Sequence, residues 1–189
     1  MLKTKQRTYL IQLIISLFIL ISCSNNDTIT PTLNTDEYFK YTLNSGTERV
    51  FDGNITAYHV LNPSPNYQRF YFRASANTSN GGSIFVDGDF IFPNYTSFIT
   101  TNLVPWGSSP ILPITNQFYF SELLSDDGFK FLPHFSYSSS PINCTIISHA
   151  TNVGEYLEFT FTGSYTHITD ASITGTITGS ARMKRGNDR

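Results

Sequence analysis

Basic residues are too few in this sequence to form a nucleic-acid-binding surface. Lysine and arginine together number 12 against 14 aspartates and glutamates, charged residues make up only 14% of the chain, and the formal net charge is −2. Proteins that bind DNA or RNA neutralise its phosphates with a basic face. We therefore expect no nucleic-acid partner.

The sequence also lacks an apolar run long enough to cross a membrane as a helix. The most apolar run, Tyr9–Ile21, is shorter than the roughly 20 residues that the hydrocarbon core requires. It follows Lys3, Lys5 and Arg7, and a short apolar run behind a basic N-terminus is the layout of a secretory signal peptide. We therefore expect the chain to be exported.

The end of this run resembles a known processing site. Leu20-Ile21-Ser22-Cys23 resembles the lipobox of bacterial lipoproteins, in which an aliphatic residue stands three positions before a cysteine. The resemblance implies that the Cys23 thiol is lipidated and that the signal peptide, residues 1–22, is removed. That cut takes 22 residues and three positive charges from the chain of 189, which leaves 167 residues with a formal charge of −5. The alternative is an ordinary signal peptide that happens to contain a cysteine.

Lipid on Cys23 predicts a permanent membrane anchor. One acyl chain attaches a protein only marginally, at about 0.8 kcal/mol per buried methylene, whereas two or three chains, palmitate among them, hold it firmly. The residue after Cys23 is Ser24 and not an aspartate, and in this the chain resembles lipoproteins that are passed to the outer membrane. We expect a lipid-anchored protein of the cell envelope, in the outer membrane; the periplasmic and the surface side both stay open.

Few apolar residues occur between Cys23 and Thr35. A composition of Ser, Asn, Asp, Thr and Pro buries too little surface to fold, so residues 23–35 are predicted to be the lipidated cysteine and a flexible tether. Residues 36–189 then form one globular domain of ordinary size.

Cysteine is nearly absent from this domain. Cys144 has no partner once Cys23 carries lipid, so no disulfide is expected. It lies in the apolar run Ile142–Ile147, where an unpaired cysteine usually behaves as a small buried hydrophobe. The alternative, a nucleophilic or redox thiol, requires a neighbouring base and partial exposure.

The domain shows no sustained apolar period of 3.6 residues. Short runs rich in Tyr, Phe, Ile and Thr are separated by Gly, Pro, Asn and Ser, which is typical of an all-β protein. We predict a single antiparallel β-sandwich, with a flattened or partly open β-barrel as the alternative. The predicted strands are Tyr38–Leu43, Ile55–Val60, Tyr67–Ala74, Ser83–Val86, Phe90–Phe92, Gln117–Phe120, Phe129–Leu132, Asn143–Ser148, Tyr156–Thr162 and Ser172–Lys184.

The last two predicted strands have complementary faces. Leu157, Phe159 and Phe161 form a large apolar face on one, and Gly175 and Gly179 belong to a small apolar face on the other. Since side chains alternate between the faces of a strand, both strands are half-buried. We predict that they are neighbours in one sheet.

Two aspartate–glycine sequences predict tight turns. Asp87-Gly88 fits a hairpin that separates two short strands, and Asp126-Asp127-Gly128 fits another, because both residue types tolerate positive φ. Between Pro93 and Asn116, four prolines exclude a central strand. We predict a long loop or an irregular edge there.

The strand that contains Phe70 and Phe72 supplies the first candidate binding residues. If the phenylalanines point inward, a stripe of tyrosine and arginine lies outside. Tyrosine offers a flat ring with a polar tip and arginine a fixed fork of donors, which suits a glycan or an anionic ligand. The alternative is an exposed strand whose side chains pair with their neighbours. The stripe consists of Tyr67, Arg69, Tyr71 and Arg73.

Trp106, the only tryptophan, is a second candidate contact. An exposed indole in the proline-rich segment would anchor a glycan or an envelope protein. The alternative is a ring that folds back to close one end of the sandwich. Exposure of the ring to solvent distinguishes the two.

Sequence motifs for catalysis and metal binding are absent. The chain has no HExxH, no Gly-x-Ser-x-Gly and no phosphate-binding glycine loop. Its paired aspartates lack the remainder of a calcium loop, and the histidines show no ligand spacing. We expect no metal and no cofactor; the histidines are His59, His134, His149 and His167.

The C-terminal strands resemble those of small uncharacterised lipoproteins of Gram-negative bacteria. The shared residues are Gly154-Glu155-Tyr156-Leu157-Glu158, Thr160-Phe161-Thr162-Gly163 and Arg182-Met183-Lys184-Arg185, with Phe159 where that group often has glycine. The resemblance implies an all-β domain and an envelope location, and it carries no functional residue.

Three functions are compatible with these observations. The leading hypothesis is a non-enzymatic, membrane-anchored β-sandwich that binds a glycan or an envelope protein. The main alternative is a hydrolase of envelope or other polysaccharides, with two of Glu155, Glu158 and Asp170 as acid and base at a separation of roughly 5 to 10 Å. The third is a purely structural surface protein.

Overall fold

The structure is a computed structural model that describes residues 36–64, 66–77, 81–107, 114–124, 128–131, 142–166, 172 and 174–189. The predictions for the signal peptide, Cys23 and the tether lie outside these residues, as do those for Asp126, Asp127, His134, His167 and Asp170. The elements are β1 (Tyr38–Leu43), β2 (Arg49–Phe51), β3 (Gly53–Ser64), β4 (Tyr67–Asn77), β5 (Ser83–Phe92), α1 (Tyr95–Thr100), β6 (Leu103–Pro105), β7 (Gln117–Leu124), β8 (Gly128–Phe131), β9 (Asn143–Ser148), β10 (Tyr156–Thr166) and β11 (Thr174–Lys184).

The strands form two antiparallel sheets. The six-stranded sheet has the order β2-β1-β11-β10-β9-β6, and the five-stranded sheet has the order β3-β4-β5-β7-β8. Over the described residues these sheets do not close into a barrel. The prediction of an antiparallel β-sandwich is therefore confirmed, and the barrel alternative is not.

Aromatic rings fill the space between the sheets. The rings of Phe39 in β1 and Phe120 in β7 have centroids 4.9 Å apart, and those of Phe90 in β5 and Phe159 in β10 are 5.1 Å apart. All four side chains are fully buried. Because a phenylalanine ring buries about 150–250 Å² of surface, these contacts between sheets dominate the core.

The two C-terminal strands pair along their whole length, as the sequence predicts. Tyr156 of β10 lies opposite Lys184 of β11, and the register continues to Thr166 opposite Thr174. Gly179 lies directly opposite Phe161. A β-carbon on Gly179 would stand only 2.2 Å from Cζ of that ring. Large residues on one strand thus occupy the space that glycine leaves on the other.

Arg182 departs from the predicted alternation. It belongs to the polar side of β11, yet it is only 8% exposed. Its guanidinium pairs with Glu158 and lies 4.0 Å from the centre of the Tyr156 ring. The ion pair and the ring replace water around the charge, so burial is tolerated.

The prediction of a hairpin at Asp87-Gly88 is wrong. β5 runs without interruption from Ser83 to Phe92, and Gly88 lies in its middle, opposite Phe72 of β4. A β-carbon on Gly88 would meet Cζ of Phe72 at 2.1 Å. The glycine therefore makes room for a core ring, and the aspartates beside it pair with arginines of β4.

The segment between Pro93 and Asn116 contains regular structure that the sequence analysis did not predict. Asn94 caps α1, since its side-chain oxygen accepts the N–H of Ser97 at 2.9 Å, and Phe98 anchors this short helix in the core. β6 ends at Pro105 and lies at the edge of its sheet. This agrees with the prediction that the prolines of this segment exclude a central strand. Residues 108–113 lie outside the described residues.

Cys144 is buried on β9, in agreement with its interpretation as a core hydrophobe. Burial raises the pKa of its thiol well above the ordinary value, so the reactive thiolate is disfavoured. Among the residues that the structure describes, no helix combines the length and the apolar character needed to cross a membrane.

Candidate binding surfaces

β4 turns its phenylalanines inward and its tyrosine and arginine residues outward. Phe70 and Phe72 are completely buried, as predicted. Tyr67, Arg69 and Tyr71 are half-buried on the outer face. Arg73, on the same face, is exposed. The outer face of the five-stranded sheet is therefore a flat surface of rings and guanidinium groups; we call these four residues the Tyr–Arg stripe.

Asp87 of β5 organises one end of the Tyr–Arg stripe. Arg73 donates from Nε to Oδ1 at 2.5 Å and from Nη2 to Oδ2 at 2.6 Å, and the Tyr71 hydroxyl donates to Oδ1 at 2.7 Å. The Tyr71 ring also lies 5.2 Å from that of Tyr58 on β3. Burial and the bond to Asp87 raise the pKa of the Tyr71 hydroxyl, which therefore remains a donor.

Asp89 organises the other end. It accepts a bidentate contact from Arg69 and a hydrogen bond of 2.5 Å from the hydroxyl of Tyr119 on β7. Burial raises the pKa of Asp89, and the bonds from Arg69 and Tyr119 oppose that shift. Neither aspartate is predicted from the sequence to belong to this surface, because Asp87-Gly88-Asp89 has the pattern of a turn.

These contacts agree with the alternative interpretation of the Tyr–Arg stripe, in which its side chains pair across strands. Pairing also fixes the orientation of each group, since a bidentate arginine–aspartate contact allows one geometry. Arg73 keeps 46% of its side-chain surface exposed and Asp87 keeps 18%. What solvent meets is therefore a rigid array of rings, donors and acceptors.

Trp106 does not provide an exposed anchor. Its side chain is 8% exposed, and its ring packs edge-on against Phe118 at 5.5 Å and Phe120 at 5.3 Å. It bridges the sheets, because Trp106 follows β6 and forms a parallel bridge with Phe118 of β7. The interpretation of Trp106 as a surface contact is wrong, and the ring closes the sandwich instead.

The carboxylates of the hydrolase hypothesis have other partners. Glu155 accepts hydrogen bonds from Thr151 and Asn152, and these bonds lower its pKa to about 2. A group that stays ionised in this way is poorly suited to act as a general acid. Glu158 pairs with Arg182. Asp170 lies outside the described residues.

A groove opens where the last strand meets the edge of the other sheet. Its volume is about 630 Å³, and its lining comes from β3, the turn before β10 and the residues that follow β11. We call it the C-terminal groove; its charged lining residues are Glu37, Lys184, Arg185 and Arg189.

The segment after β11 forms one wall of this groove by pairing with β3. Arg185 forms a parallel bridge with Ala57, the N–H of Gly186 donates to the Ala57 carbonyl at 2.7 Å, and the N–H of Arg189 donates to the His59 carbonyl at 3.1 Å. These bonds cover the edge of the five-stranded sheet. The residues of this wall carry no strand pattern, so the sequence alone does not predict it.

Arg185 fastens this wall to the rest of the domain. It is 7% exposed, and it donates to Asp188 at 2.8 Å, to the Tyr95 hydroxyl at 2.6 Å and to the carbonyls of Ala150 and Thr151. Four residues thus accept hydrogen bonds from one guanidinium, which explains why a buried charge is tolerated there.

The fold and these surfaces define an antiparallel β-sandwich with an aromatic core, a rigid polar outer face and a cationic groove. In the part of the chain that the structure describes, no three histidine, cysteine, aspartate or glutamate side chains are grouped so that they could hold a metal ion. No protein-family model, no curated protein and no solved structure matches the chain.

Proposed function

We propose that the protein is a lipoprotein of the cell envelope, anchored to the outer membrane through Cys23, whose β-sandwich binds a glycan without catalysing a reaction. The anchor is supported by the lipobox-like sequence Leu20-Ile21-Ser22-Cys23 behind a short apolar run. The polar residues that follow Cys23 would be the tether between the lipid and the domain.

The observation that carries the binding proposal is the ordered outer face of β4 and β5. Tyr71, Arg73 and Asp87 present a ring, donors and acceptors in fixed positions on an open sheet. Sugars expose C–H faces that pack on aromatic rings and hydroxyls that exchange hydrogen bonds with guanidinium and carboxylate groups. A preorganised surface loses little conformational entropy when it binds.

Binding rather than hydrolysis is favoured by the engagement of the candidate carboxylates. Glu155 caps a turn and Glu158 pairs across strands, so neither is held ready to exchange a proton with a substrate. Within the described residues that line the C-terminal groove, Glu37 is the single acid, whereas glycoside hydrolysis uses a pair.

A glycan array probed with the full-length protein in detergent tests this proposal. We expect binding to at least one envelope or host glycan, and an affinity about tenfold lower for Tyr71→Ala and for Arg73→Ala, since the loss of one aromatic or arginine contact commonly has that effect. The matched controls are Tyr38→Ala and Lys40→Ala, which remove a ring and a cation from the outer face of the six-stranded sheet.

Equal binding by wild type, Tyr71→Ala and Arg73→Ala would show that the outer face of β4 is not the binding surface. Failure to bind any glycan, together with capture of one defined envelope protein that depends on the same two residues, would replace the glycan by a protein partner.

A further inference from the structure

The C-terminal groove contains two cations that form no ion pair with a described carboxylate. Three of the nine basic residues that follow the signal peptide line it, namely Lys184, Arg185 and Arg189. Arg185 is committed to Asp188 and to neighbouring carbonyls. Lys184 and Arg189, by contrast, form no ion pair with any residue that the structure describes. Lys184 and Arg189 therefore face one cavity in which Glu37 is the single acid among the described lining residues.

Arg189 is held in place before any ligand arrives. Its main chain makes two hydrogen bonds with β3, since its N–H donates to the His59 carbonyl and its main-chain oxygen accepts the N–H of Leu61 at 2.6 Å. Its guanidinium carbon lies 4.6 Å from the centre of the Tyr58 ring. A guanidinium stacked on a ring keeps its edge and its donors available, and less entropy is lost when it binds an oxyanion.

The rest of the groove is small and largely uncharged. Gly154 and Gly186 expose main chain, and Ile55, Ala57 and Val153 contribute apolar surface. The volume of about 630 Å³ lies within the range of about 300–1,000 Å³ that small-molecule sites occupy. This space accommodates a ligand of roughly the size of a mono- or disaccharide.

From these features we infer that the C-terminal groove binds a small oxyanion, a carboxylate or a phosphate monoester carried on an uncharged body such as a sugar, through Lys184 and Arg189. Arginine offers a planar fork that matches either group, and lysine adds a point charge. Glu37, whose Oε1 accepts the main-chain N–H of Lys184 at 2.5 Å, disfavours ligands with many charges. This site borders the Tyr–Arg stripe, because the Tyr58 ring contacts both Tyr71 and Arg189, but its charged residues are different, so the inference goes beyond the proposed function.

Nuclear magnetic resonance on the full chain, ¹⁵N-labelled and held in nanodiscs of neutral lipid, tests the inference. Glucuronate and glucose 6-phosphate are the oxyanion probes, and glucose is the uncharged match. We expect saturable shifts of the Gly154 and Gly186 amides with both acids and none with glucose. Lys184→Ala and Arg189→Ala should each raise the dissociation constant about tenfold or more, because each removes charge-assisted hydrogen bonds.

Lys40→Ala is the matched control for the loss of one positive charge. Lys40 lies on the outer face of the six-stranded sheet, where it pairs with Glu48 at 3.2 Å, so its removal should leave the dissociation constant unchanged. Lys184→Arg keeps the charge and should retain binding. A uniform loss of affinity in all three charge-removing variants would mean a general electrostatic effect and would overturn the site.

A second set of nanodiscs that contain anionic phosphatidylglycerol identifies the source of the oxyanion. Shifts of the groove amides without added ligand, lost in Arg189→Ala, would support the site and assign its oxyanion to a lipid headgroup. Shifts only with the soluble acids would support the site and assign it to a free ligand. No saturable shift at these amides under any of the conditions, or equal shifts with glucose, would contradict the inference. Since Tyr58 contacts both surfaces, the variants separate the two proposals: Lys184→Ala tests the groove alone, and Arg73→Ala tests the Tyr–Arg stripe alone.

Discussion

Replacing Arg49 with methionine is expected to destabilise the domain by about 3 kcal/mol, which is at the low end of the cost of leaving a buried charge without its partner. Arg49 pairs with Glu122, a carboxylate that is 1% exposed between the sheets and also accepts a hydrogen bond from the Tyr41 hydroxyl. Arg49 itself is 40% exposed, so water reaches the vacated side and limits the loss. Urea denaturation of the full-length protein measures the change as a lower midpoint at constant slope.

The pair formed by Lys40 and Glu48 is the matched control. Its side chains are 36% and 48% exposed, so Lys40→Met should cost no more than about 1 kcal/mol. Equal effects of Lys40→Met and Arg49→Met would contradict the assignment of Glu122 as a buried, charge-dependent group.

A triple variant separates the charge from the packing. Tyr41→Phe, Arg49→Met and Glu122→Met together remove the carboxylate and both groups that bind it. Because a buried ion pair can be replaced by apolar residues of similar volume at little cost, this variant should recover most of the stability that Arg49→Met loses. Without such recovery, shape rather than charge explains the effect of the single substitution.

Gly179→Ala is expected to cost roughly 1–3 kcal/mol or more, the range observed for overpacked cores. The new methyl group would stand 2.2 Å from Cζ of Phe161 and 2.6 Å from the carbonyl oxygen of Lys40. A side chain can rotate away, but the carbonyl belongs to the paired strand β1 and moves only with the sheet. Calorimetry of the full-length protein should therefore show a lower melting temperature.

Gly186→Ala is the control for the general effect of adding a methyl group to a glycine. Its β-carbon would lie 3.5 Å from the Ala57 carbonyl oxygen, which is an ordinary contact, so stability should change by less than about 0.5 kcal/mol. Adding Phe161→Leu to Gly179→Ala should restore part of the loss, and additive effects of the two substitutions would show that the ring and the glycine are not coupled.

The sequence predicted the regular strands well because their faces are half-buried. The bounds of β1 and β9 were predicted to the residue, and the partnership of β10 with β11 follows from large residues on one and glycine on the other. In each case the alternation of apolar and polar side chains is visible within a single strand.

The errors arose where the reason for a residue lies on another strand. The sequence around Gly88 predicts a turn, but this glycine makes room for Phe72, a residue of the neighbouring strand. Arg182 belongs to a polar face, and its burial depends on Glu158 and the Tyr156 ring. A pattern within one segment cannot reveal such partners until the register is known.

The candidate surfaces were predicted only in part. The outward orientation of the Tyr–Arg stripe follows from alternation with Phe70 and Phe72, but its aspartate partners do not. The sequence does not predict the C-terminal groove. One of its walls depends on hydrogen bonds between β3 and the segment after β11, and the residues of that segment show no strand pattern. For Trp106 the sequence allows either a surface contact or a ring that closes the sandwich. Only its contacts with Phe118 and Phe120 decide between the two.

The mass of the mature N-terminus, measured on the full-length protein purified from the membrane fraction of its host, tests the lipid anchor directly. We expect residues 1–22 to be missing and the N-terminal peptide to start at Cys23 with the added mass of two or three acyl chains; a Cys23→Ser variant should keep residues 1–22. A bare Cys23, or a mature chain that still begins at Met1, would contradict the lipid anchor.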